Sequence, residues 1–285
     1  MKKSIYFIFI SLFFILLIPT NSYAEELKDF FGKKFINNKK EPKILSLSPA
    51  TTELLYSIGA DKNIIAVTND CNYPQDALKK DKIGKFGFIN YEKLLVLKPD
   101  IIFATKDMGK VLLDLKKYNY PVFALDSKNL NSVIENIDFL QKVLNIKEQK
   151  NLNKSLKSKL DSINSNLTKK STKPTVFYVI WHEPIITTGN NSFIGDMIKL
   201  SGGINIAKDI NNPFAKYSIE SLVKQNPDYL IIPESTYKKI NFTIFPWNKL
   251  KAVKNNKIIA VNDDKYLRPT VRAFDSIEEL SKKLK

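Results

Sequence analysis

A regular apolar stripe runs through a polar, lysine-rich stretch in the middle of the chain, between Lys147 and Lys169. Its members are Leu152, Leu156, Leu160, Ile163 and Leu167. Their spacings of four, four, three and four residues place these side chains on one face of an α-helix. Neither Gly nor Pro interrupts the stretch before Pro174. We therefore expect a helix roughly 30 Å long, because an α-helix rises about 1.5 Å per residue.

Short apolar runs alternate with helical patterns on the N-terminal side of this stretch. The apolar runs cover residues 43–47, 64–67, 101–104 and 122–125, and the helical patterns cover residues 49–59, 108–117 and 130–144. Ser48 is a suitable helix cap, and Pro49 is favoured at the first helical position. Strands that alternate with helices in this way form a mostly parallel sheet covered on both faces.

The same alternation returns after Pro174. Apolar runs cover residues 175–180, 229–232 and 258–261, helical patterns cover residues 192–200 and 269–284, and residues 181–184 should form a loop at the carboxyl end of the first run. We therefore predict an α/β protein with two lobes, residues 43–145 and 171–285, joined by a linking helix over residues 146–170. The alternative is one large domain that carries this helix on its surface.

A short pattern occurs once on each side of the predicted linking helix. Glu92 and Glu220 each precede a Pro-Asp pair by seven residues, which indicates a duplicated lobe. Asn90 and Ser218 are good helix caps, and an acid in the first turn stabilises a helix by about 0.3–1 kcal/mol. On two lobes, the same glutamates would also form two exposed negative points suited to arginines of a symmetric partner.

The first 24 residues have the pattern of a secretory signal. Two lysines precede an apolar run over residues 5–18, and Ser22-Tyr23-Ala24 follows it. We expect cleavage after Ala24, a loosely held polar leader over residues 25–42, and a mature protein in the periplasm. No Cys follows the apolar run, so no lipid anchor of the bacterial lipoprotein kind is expected. An uncleaved membrane anchor is the alternative.

The formal charge of +16 raises the question of a nucleic acid or membrane partner. Arg268 and Arg272 are the only arginines among 45 basic residues, and the lysines are scattered rather than gathered with aromatic residues. This pattern favours a solvated basic surface and no nucleic-acid partner. Cys71 is the only cysteine, so an intrachain disulfide is excluded, and a packing role is expected.

Several motifs carry a resemblance to a known family. They are Ser46-Leu47-Ser48-Pro49-Ala50-Thr51-Thr52-Glu53-Leu54, Lys98-Pro99-Asp100, Pro184-Ile185-Ile186-Thr187-Thr188-Gly189 with Ser192-Phe193, and Gly202-Gly203. In this order and spacing they resemble the periplasmic binding proteins for cobalamin and ferric siderophores. The resemblance covers residues 43–285 and is strongest to the members that bind cobalamin.

The resemblance implies two Rossmann-like lobes with a ligand cleft between them. It implies a monomer that delivers cobalamin or a related corrinoid to an ABC permease with a cytoplasmic ATPase, and that meets the membrane only through this permease. A ferric siderophore or haem is the alternative ligand. Glu92 and Glu220 match the glutamates with which this family docks onto permease arginines.

The resemblance also implies cleft residues. Phe86 and Phe214 match aromatic positions before the two glutamate helices, whereas Asp70 and Thr105 replace a tyrosine and a tryptophan of the family pattern. The loop of Asp264, Lys265, Tyr266, Leu267 and Arg268, together with Arg272, matches a ligand-contacting loop.

The chemistry of single residues adds to this set. Trp181 and Tyr266, like the phenylalanines, offer apolar faces to a corrin ring. Arg268 and Arg272 suit a phosphate or carboxylate, although they could also be surface charges near a helix start. His182, the only histidine, could coordinate cobalt or haem iron, or could be a hydrogen-bonded structural residue.

The residue types in the sequence argue against a metal carrier and against an enzyme. One histidine is too few for a zinc or manganese carrier, so we expect no metal site and no resident cofactor. The sequence has no Gly-x-Ser-x-Gly elbow, no phosphate-binding glycine loop and no pair of cysteines. We therefore expect a binding protein and no catalysis.

Overall fold

A computed structural model of the protein describes residues 27–147, 151–168 and 173–284. The predicted signal segment, residues 1–24, lies outside the described residues. The predicted domain limits near residues 146 and 170 fall beside or inside the gaps at 148–150 and 169–172, so they stay predictions. No helix of the described part combines the length and the apolar character needed to cross a membrane.

The first lobe is built on a parallel sheet. Its strands are, in chain order, β1 (Ile44–Ser46), β2 (Ile64–Val67), β3 (Asp81–Lys82), β4 (Gly84–Lys85), β5 (Phe88–Ile89), β6 (Ile101–Thr105) and β7 (Val122–Leu125). Five of the described strands form the sheet in the order β3-β2-β1-β6-β7, while β4 and β5 form a separate hairpin. Ile44 pairs with Ile64 on one side and with Ile101 on the other, so fully buried β1 is the centre.

Helices cover this sheet and continue into the second lobe. They are α1 (Pro49–Ser57), α2 (Tyr91–Leu97), α3 (Gly109–Leu115), α4 (Leu130–Leu144) and α5 (Leu152–Thr168). Ser48 caps α1 as predicted, because its side chain accepts the N–H of Thr51. The predicted helix over residues 108–117 is shorter, and its last turn is a 3-10 helix over Lys116–Tyr118.

The second lobe repeats the architecture with a second parallel sheet. Its strands are β8 (Thr175–Tyr178), β9 (Trp181–His182), β10 (Ile185–Thr187), β11 (Ile204–Asn205), β12 (Ala215–Lys216), β13 (Tyr229–Pro233) and β14 (Ile258–Val261). Among the described residues the parallel sheet has the order β11-β8-β13-β14, and β12, β10 and β9 form a small antiparallel sheet beside it. The fold is therefore α/β with two Rossmann-like lobes, as predicted, and not one continuous sheet.

The helices of the second lobe are mostly short. They are α6 (Phe193–Leu200), α7 (Ile219–Gln225), α8 (Glu234–Tyr237), α9 (Lys251–Lys254), α10 (Asp263–Leu267) and α11 (Arg272–Lys283). The predicted closing helix over residues 269–284 starts three residues late, at Arg272. The predicted loop over residues 181–184 is instead the start of the β9–β10 hairpin, because the Ile180 N–H bonds to the Ile186 carbonyl and Ile185 is buried.

Helix α5 contacts both lobes. It packs against α4 on one side and against α6 and α11 on the other, and Leu156, Leu160 and Ile163 of the predicted stripe are buried there. The helix begins at Leu152 and not near Lys147, because Asn151 has a left-handed backbone with a φ of 55°. Its 17 described residues span about 25 Å.

The segment after the predicted signal is held more firmly than expected. The backbone N–H of Phe30 donates to the Val122 carbonyl at the edge of the first sheet, and the Phe35 ring packs edge-on against Phe123 at 5.0 Å. Leu27 also contacts the core. The expectation of a loose leader was therefore wrong for residues 27–42, because apolar side chains among its charges anchor it.

The duplicated pattern has the same structural role in each lobe. Asn90 caps α2 and Ser218 caps α7, and each helix ends at a residue in the left-handed region. The following aspartates then fix the first strand of each parallel sheet: the Lys43 N–H donates to Asp100 Oδ2 at 2.8 Å, and the Thr175 N–H donates to Asp228 Oδ2 at 2.7 Å. This matching arrangement explains the repeated Pro-Asp pair.

Candidate ligand-binding cleft

A cavity of about 1110 Å³ lies between the two lobes. On the side of the first lobe, its wall is formed by residues that follow β1, β6 and β7, such as Pro49, Lys106 and Asp126. On the side of the second lobe, the wall is formed by residues around the start of α6 and by the loop that contains Phe214. Ligands of parallel α/β sheets bind at the carboxyl ends of the strands, so this cavity is the candidate site.

Apolar side chains and amides share the wall of the cavity. The apolar members include Pro49, Phe86, Leu125, Phe193, Ile194, Phe214 and Leu267, and the amide side chains are Asn129, Asn190, Asn191 and Asn211. The amide of Asn191 donates to Asn211 Oδ1 at 3.2 Å, so these two side chains orient each other. The wall therefore offers broad apolar contact and amide groups that can donate and accept hydrogen bonds.

Five of the predicted site residues lie in the wall. They are Asp70, Phe86, Phe214, Leu267 and Arg268. The two phenylalanines come from different lobes, and their side chains are 39% and 60% exposed, so both rings remain open to a ligand. Asp70 Oδ2 accepts the backbone N–H of Phe86 at 2.6 Å and thereby holds the loop that carries this ring.

Two predicted residues on the β9–β10 hairpin lie away from the wall. Trp181 is 37% exposed on the outside of the second lobe, where Lys239 Nζ lies 4.2 Å from the centre of its ring. His182 neighbours Trp181 in β9 and is also absent from the wall. Both residues belong to the β9–β10 hairpin and not to the predicted loop at the carboxyl end of β8.

Four further predicted residues also lie outside the wall. Asp264 and Arg272 belong to contacts between the lobes, and Lys265 pairs with Glu279 on α11. The buried Tyr266 ring packs in the core, and its hydroxyl donates to Glu279 Oε2 at 3.2 Å. Burial and the nearby Glu279 carboxylate raise the pKa of Tyr266. Asp264, Lys265 and Tyr266 contact other protein groups from the helix of residues 263–267, which replaces the predicted open loop, whereas Arg272 lies on α11.

Both arginines bind one buried carboxylate across the cleft. Glu53, on α1 of the first lobe, has a side chain only 3% exposed. Arg272 on α11 donates to Glu53 through Nε at 2.9 Å and Nη2 at 2.6 Å, and Arg268 Nη1 lies 3.0 Å from Glu53 Oε1. We call these three residues the interlobe clasp. Sequence reasoning missed Glu53, although a carboxylate within the apolar helix of residues 49–59 signals a buried charge in need of a partner.

Neighbouring groups complete the contacts of the clasp. Arg268 also donates from Nη1 to Asn72 Oδ1 at 2.7 Å and pairs through Nη2 with Asp264 Oδ1 at 2.6 Å. The Asn72 amide donates to Asp264 Oδ2 at 2.7 Å, and the guanidinium of Arg272 lies 3.8 Å from the centre of the Tyr73 ring. The charge of each arginine is thus paired within the protein, which argues against the predicted role of binding a ligand phosphate or carboxylate.

The start of α6 brings a further acid to the wall. Asp196 Oδ2 accepts the backbone N–H of Leu130, at the start of α4, at 3.1 Å. Burial raises the pKa of the Asp196 carboxyl. The hydroxyl of Thr188 in the same wall is buried and has no hydrogen-bond partner among the described residues, and the same holds for Thr105 on the opposite lobe. Sequence reasoning did not single out Asp196 or Thr188.

The described residues of the wall include no side chain of the kinds that bind the metal of a haem axially. Among the described residues that line it, none is His, Cys, Met or Tyr, the side chains that bind haem iron axially. The described chain also contains no cluster of three or more His, Cys, Asp or Glu side chains arranged to hold a metal ion.

The two glutamates of the duplicated pattern are exposed in the first turns of α2 and α7. Glu220 Oε2 accepts the hydroxyl hydrogen of Ser218 at 2.6 Å, and this hydrogen bond lowers the pKa of Glu220. Neither glutamate belongs to the cleft wall. Docking through these residues stays a prediction.

Two α/β lobes that enclose a large cavity at the ends of their strands define a two-lobed ligand-binding protein. The sequence profile of the periplasmic binding protein family matches residues 44–265, so the chain belongs to this family. Its members are substrate-binding proteins. The chain is a periplasmic binding protein of an ABC importer.

Known proteins resemble the chain over most of its length. The vitamin B12-binding protein of Vibrio cholerae is 28% identical over 247 residues, which cover 85% of this chain and 89% of that protein. The solved structure of the periplasmic vitamin B12 binding protein of Vibrio cholerae covers 86% of this chain and 97% of its own, with a TM-score of 0.75 at 26% identity.

Two other relatives extend the comparison. An uncharacterized ABC transporter substrate-binding lipoprotein of Bacillus subtilis is 29% identical over 256 residues, which cover 86% of this chain and 81% of that protein. The structure of a possible iron-binding (periplasmic solute-binding) protein from Staphylococcus epidermidis is 30% identical, with a TM-score of 0.72 and coverage of 86% of this chain and 99% of that chain.

Proposed function

We propose that the protein captures cobalamin, or a related corrinoid, in the periplasm and delivers it to an ABC permease. The observation that carries this proposal is the cavity between the lobes. Its volume of about 1110 Å³ exceeds the roughly 300–1000 Å³ typical of small-molecule pockets. A ligand as large as a corrinoid suits this space.

The chemistry of the wall supports a corrinoid. A corrin ring has two broad apolar faces, and its edge carries amide side chains. The exposed rings of Phe86 and Phe214 suit the faces, whereas Asn191 and Asn211 can exchange hydrogen bonds with the amides. The Vibrio cholerae relative, which carries the name vitamin B12-binding protein, points to the same ligand.

The alternative ligand is haem or a ferric siderophore. The Staphylococcus epidermidis relative, described as possibly iron-binding, favours an iron-containing ligand. The lack of His, Cys, Met and Tyr among the described wall residues argues against haem held by an axial side chain. His182 lies away from this wall, so it supplies no metal bond there.

Calorimetric titration of the mature protein with cyanocobalamin, haem and a ferric siderophore, run in parallel, tests the ligand. We expect one cyanocobalamin per protein and no heat of binding from the other two. Mass spectrometry of the released ligand should show it chemically unchanged, as expected for a carrier. Binding of only haem or only the siderophore would replace the corrinoid proposal by the alternative.

Delivery is proposed to use the two exposed glutamates. A permease with two similar subunits would present its arginines at two matching points, one for Glu92 and one for Glu220. The double variant Glu92→Ala/Glu220→Ala should keep its corrinoid affinity and lose transport in reconstituted vesicles. The control Glu41→Ala/Glu135→Ala removes two exposed acids elsewhere and should transport normally. Normal transport by the first variant would exclude docking through these glutamates.

The location in the periplasm is proposed to follow from cleavage after Ala24. N-terminal sequencing of the secreted protein should then begin at Glu25. A mature chain that still carries residues 1–24 would instead support the membrane-anchor alternative.

A further inference from the structure

The charge of the cavity wall differs in sign from that of the whole chain. The chain carries a formal charge of +16, whereas the wall contains four aspartates against two lysines and one arginine. The aspartates are Asp70, Asp107, Asp126 and Asp196, and they come from both lobes. The excess lysines of the chain therefore lie outside the cleft.

The cations of the wall already have partners. Arg268 pairs with Glu53 and Asp264, at 3.0 and 2.6 Å. Lys106 and Lys128 both approach the same carboxylate, that of Asp126, at 3.5 and 3.6 Å. An anionic ligand would have to compete with these carboxylates for each positive charge.

Three carboxylates of the wall have no cation within ion-pair distance among the described residues, although Lys199 attracts the Asp196 carboxylate from farther away. Asp70, Asp107 and Asp196 form no ion pair with any described residue. Asp70 and Asp196 each accept one backbone N–H, which holds their position without neutralising their charge. Asp196 is also partly buried, so water screens it less than it screens the exposed lysines outside.

The same wall contains two hydroxyl groups without a hydrogen-bond partner among the described residues. The Thr188 side chain is fully buried, and its hydroxyl has no hydrogen-bond partner in the described part of the chain. Thr105 leaves a hydroxyl unpaired on the opposite lobe. Buried unpaired hydroxyls are unfavourable, so their presence on both sides of the cavity points to a ligand or ordered water between the lobes.

The excess negative charge of the wall should affect binding through the net charge of the ligand. A cleft whose wall has an excess of one sign of charge among apolar groups concentrates ligands of the opposite sign. We infer that this cavity selects its corrinoid by charge: it binds a cationic corrinoid more tightly than a neutral one, and it binds an anionic one least. The inference rests on the proposed function, because it names the charge class of the corrinoid that the cleft takes.

Three corrinoids of nearly the same shape separate charge from size. In cyanocobalamin, the phosphate of the nucleotide loop balances the positive cobalt–corrin centre, so the molecule is neutral. Replacement of cyanide by water adds one positive charge, and hydrolysis of one peripheral amide to a carboxylate adds one negative charge. The three probes therefore span both signs with a single small group changed each time.

The test is a titration of the mature protein with these three corrinoids at neutral pH and low ionic strength, so that the wall carboxylates, including Asp196 with its raised pKa, stay ionised. We expect the dissociation constant to rise about fivefold with each step from cation to neutral to anion, and the differences to shrink in high salt. The variant Asp107→Asn/Asp196→Asn should show about half of this dependence on a logarithmic scale. The control Asp161→Asn removes the same type of charge from an exposed position on α5 and should behave as the unchanged protein.

The outcomes distinguish the inference from the function on which it rests. Equal affinities for all three corrinoids, or differences that persist in high salt, would overturn charge selection and leave corrinoid binding intact. Failure of all three to bind would overturn both. If the double variant does not fold, as judged by circular dichroism, charge selection is still tested by the unchanged protein, through the effect of salt on its three affinities.

Discussion

At the scale of residues, Glu53 is the side chain at the centre of the interlobe clasp. Its carboxylate is almost completely buried and meets both arginines of the chain at 2.6 to 3.0 Å. Removing one partner from a buried ion pair costs about 3–5 kcal/mol, because the remaining charges stay buried without compensation. The replacement of both partners by apolar groups need not cost as much.

The variant Glu53→Gln tests this reading of the clasp. Glutamine keeps the shape of glutamate but leaves Arg268 and Arg272 without their shared negative charge. We expect the free energy of unfolding in urea to fall by about 3 kcal/mol. The exposed position Glu135→Gln should change it by less than about 0.5 kcal/mol. If both variants unfold at the same urea concentration, the clasp does not stabilise the protein.

Asp228 gives a prediction for the dependence of stability on pH. Burial alone would raise its pKa, but hydrogen bonds from Lys251 and Thr175 outweigh this effect and lower the pKa from 3.8 to about 2. The stabilisation by this carboxylate is therefore fully present above its ordinary pKa of 3.8. It is lost as the pH falls toward 2 and the folded-state carboxylate becomes protonated.

Thermal unfolding of the protein and of Asp228→Asn over this range tests the pH effect. The variant should be less stable at neutral pH, and the difference between the two melting temperatures should close as the pH falls from 3.8 toward 2. A difference that stays constant down to the lowest pH would show that the charge of Asp228 has no such role.

Local residue chemistry could be predicted from the sequence, but distant pairs could not. Ser48 before Pro49 and Asn90 before Glu92 predicted helix starts correctly, because a cap acts on residues only a few positions away. The partner of Arg272 lies 219 positions earlier in the chain. No local pattern connects the two, so the sequence indicates only a ligand anion or the solvent as the partner of these arginines.

At the scale of elements, continuous apolar runs were read correctly as buried parallel strands. The runs at 64–67, 122–125 and 258–261 coincide with β2, β7 and β14. The two-residue strands β3, β11 and β12 were not predicted, because they are set by pairing with neighbours and too short to show a period. The linking helix was predicted, but its start at Leu152 depends on the backbone of Asn151.

The start of α6 is tightly packed, and this gives a prediction for one element of the cleft wall. A Cβ atom at Gly195 would lie 2.3 Å from the carbonyl oxygen of Gly189. Because that neighbour is backbone, Gly195→Ala should shift the start of α6 and destabilise the protein by about 1–3 kcal/mol. The shift should also weaken corrinoid binding, since Ser192, Phe193 and Ile194 of the wall precede it.

Gly109 offers a matched control for this substitution. It also lies in the first turn of a helix, α3, but a Cβ atom there would meet nothing within 4 Å. Gly109→Ala should leave affinity unchanged and raise stability by about 0.5–1 kcal/mol, because alanine is the better helix former. Urea unfolding and calorimetry of both variants provide the measurements. Equal stability and affinity in the two variants would contradict the tight packing at α6.

At the scale of the whole molecule, two lobes are held together on more than one side of the cleft. Helix α5 contacts both lobes along its length, the clasp joins α1 to α11, and Asp196 joins α6 to α4. These contacts limit the movement of the lobes to small hinge motions. We propose that release of a ligand therefore depends on the permease spreading the lobes at its two proposed docking points, Glu92 and Glu220.

The proposed function places a corrinoid in the cleft between Phe86 and Phe214. Calorimetric titration with cyanocobalamin of the unchanged protein and of Phe86→Ala/Phe214→Ala tests it most directly. Since burial of a phenylalanine contributes about 1.5–3 kcal/mol, we expect one bound cyanocobalamin per protein and at least a hundredfold loss of affinity in this variant.

The control is the variant Phe88→Ala/Phe245→Ala. It removes two rings that lie outside the wall and are 76% and 58% exposed. This variant should bind cyanocobalamin as the unchanged protein does. No binding of cyanocobalamin to the unchanged protein, or equal affinity in the two double variants, would contradict the account.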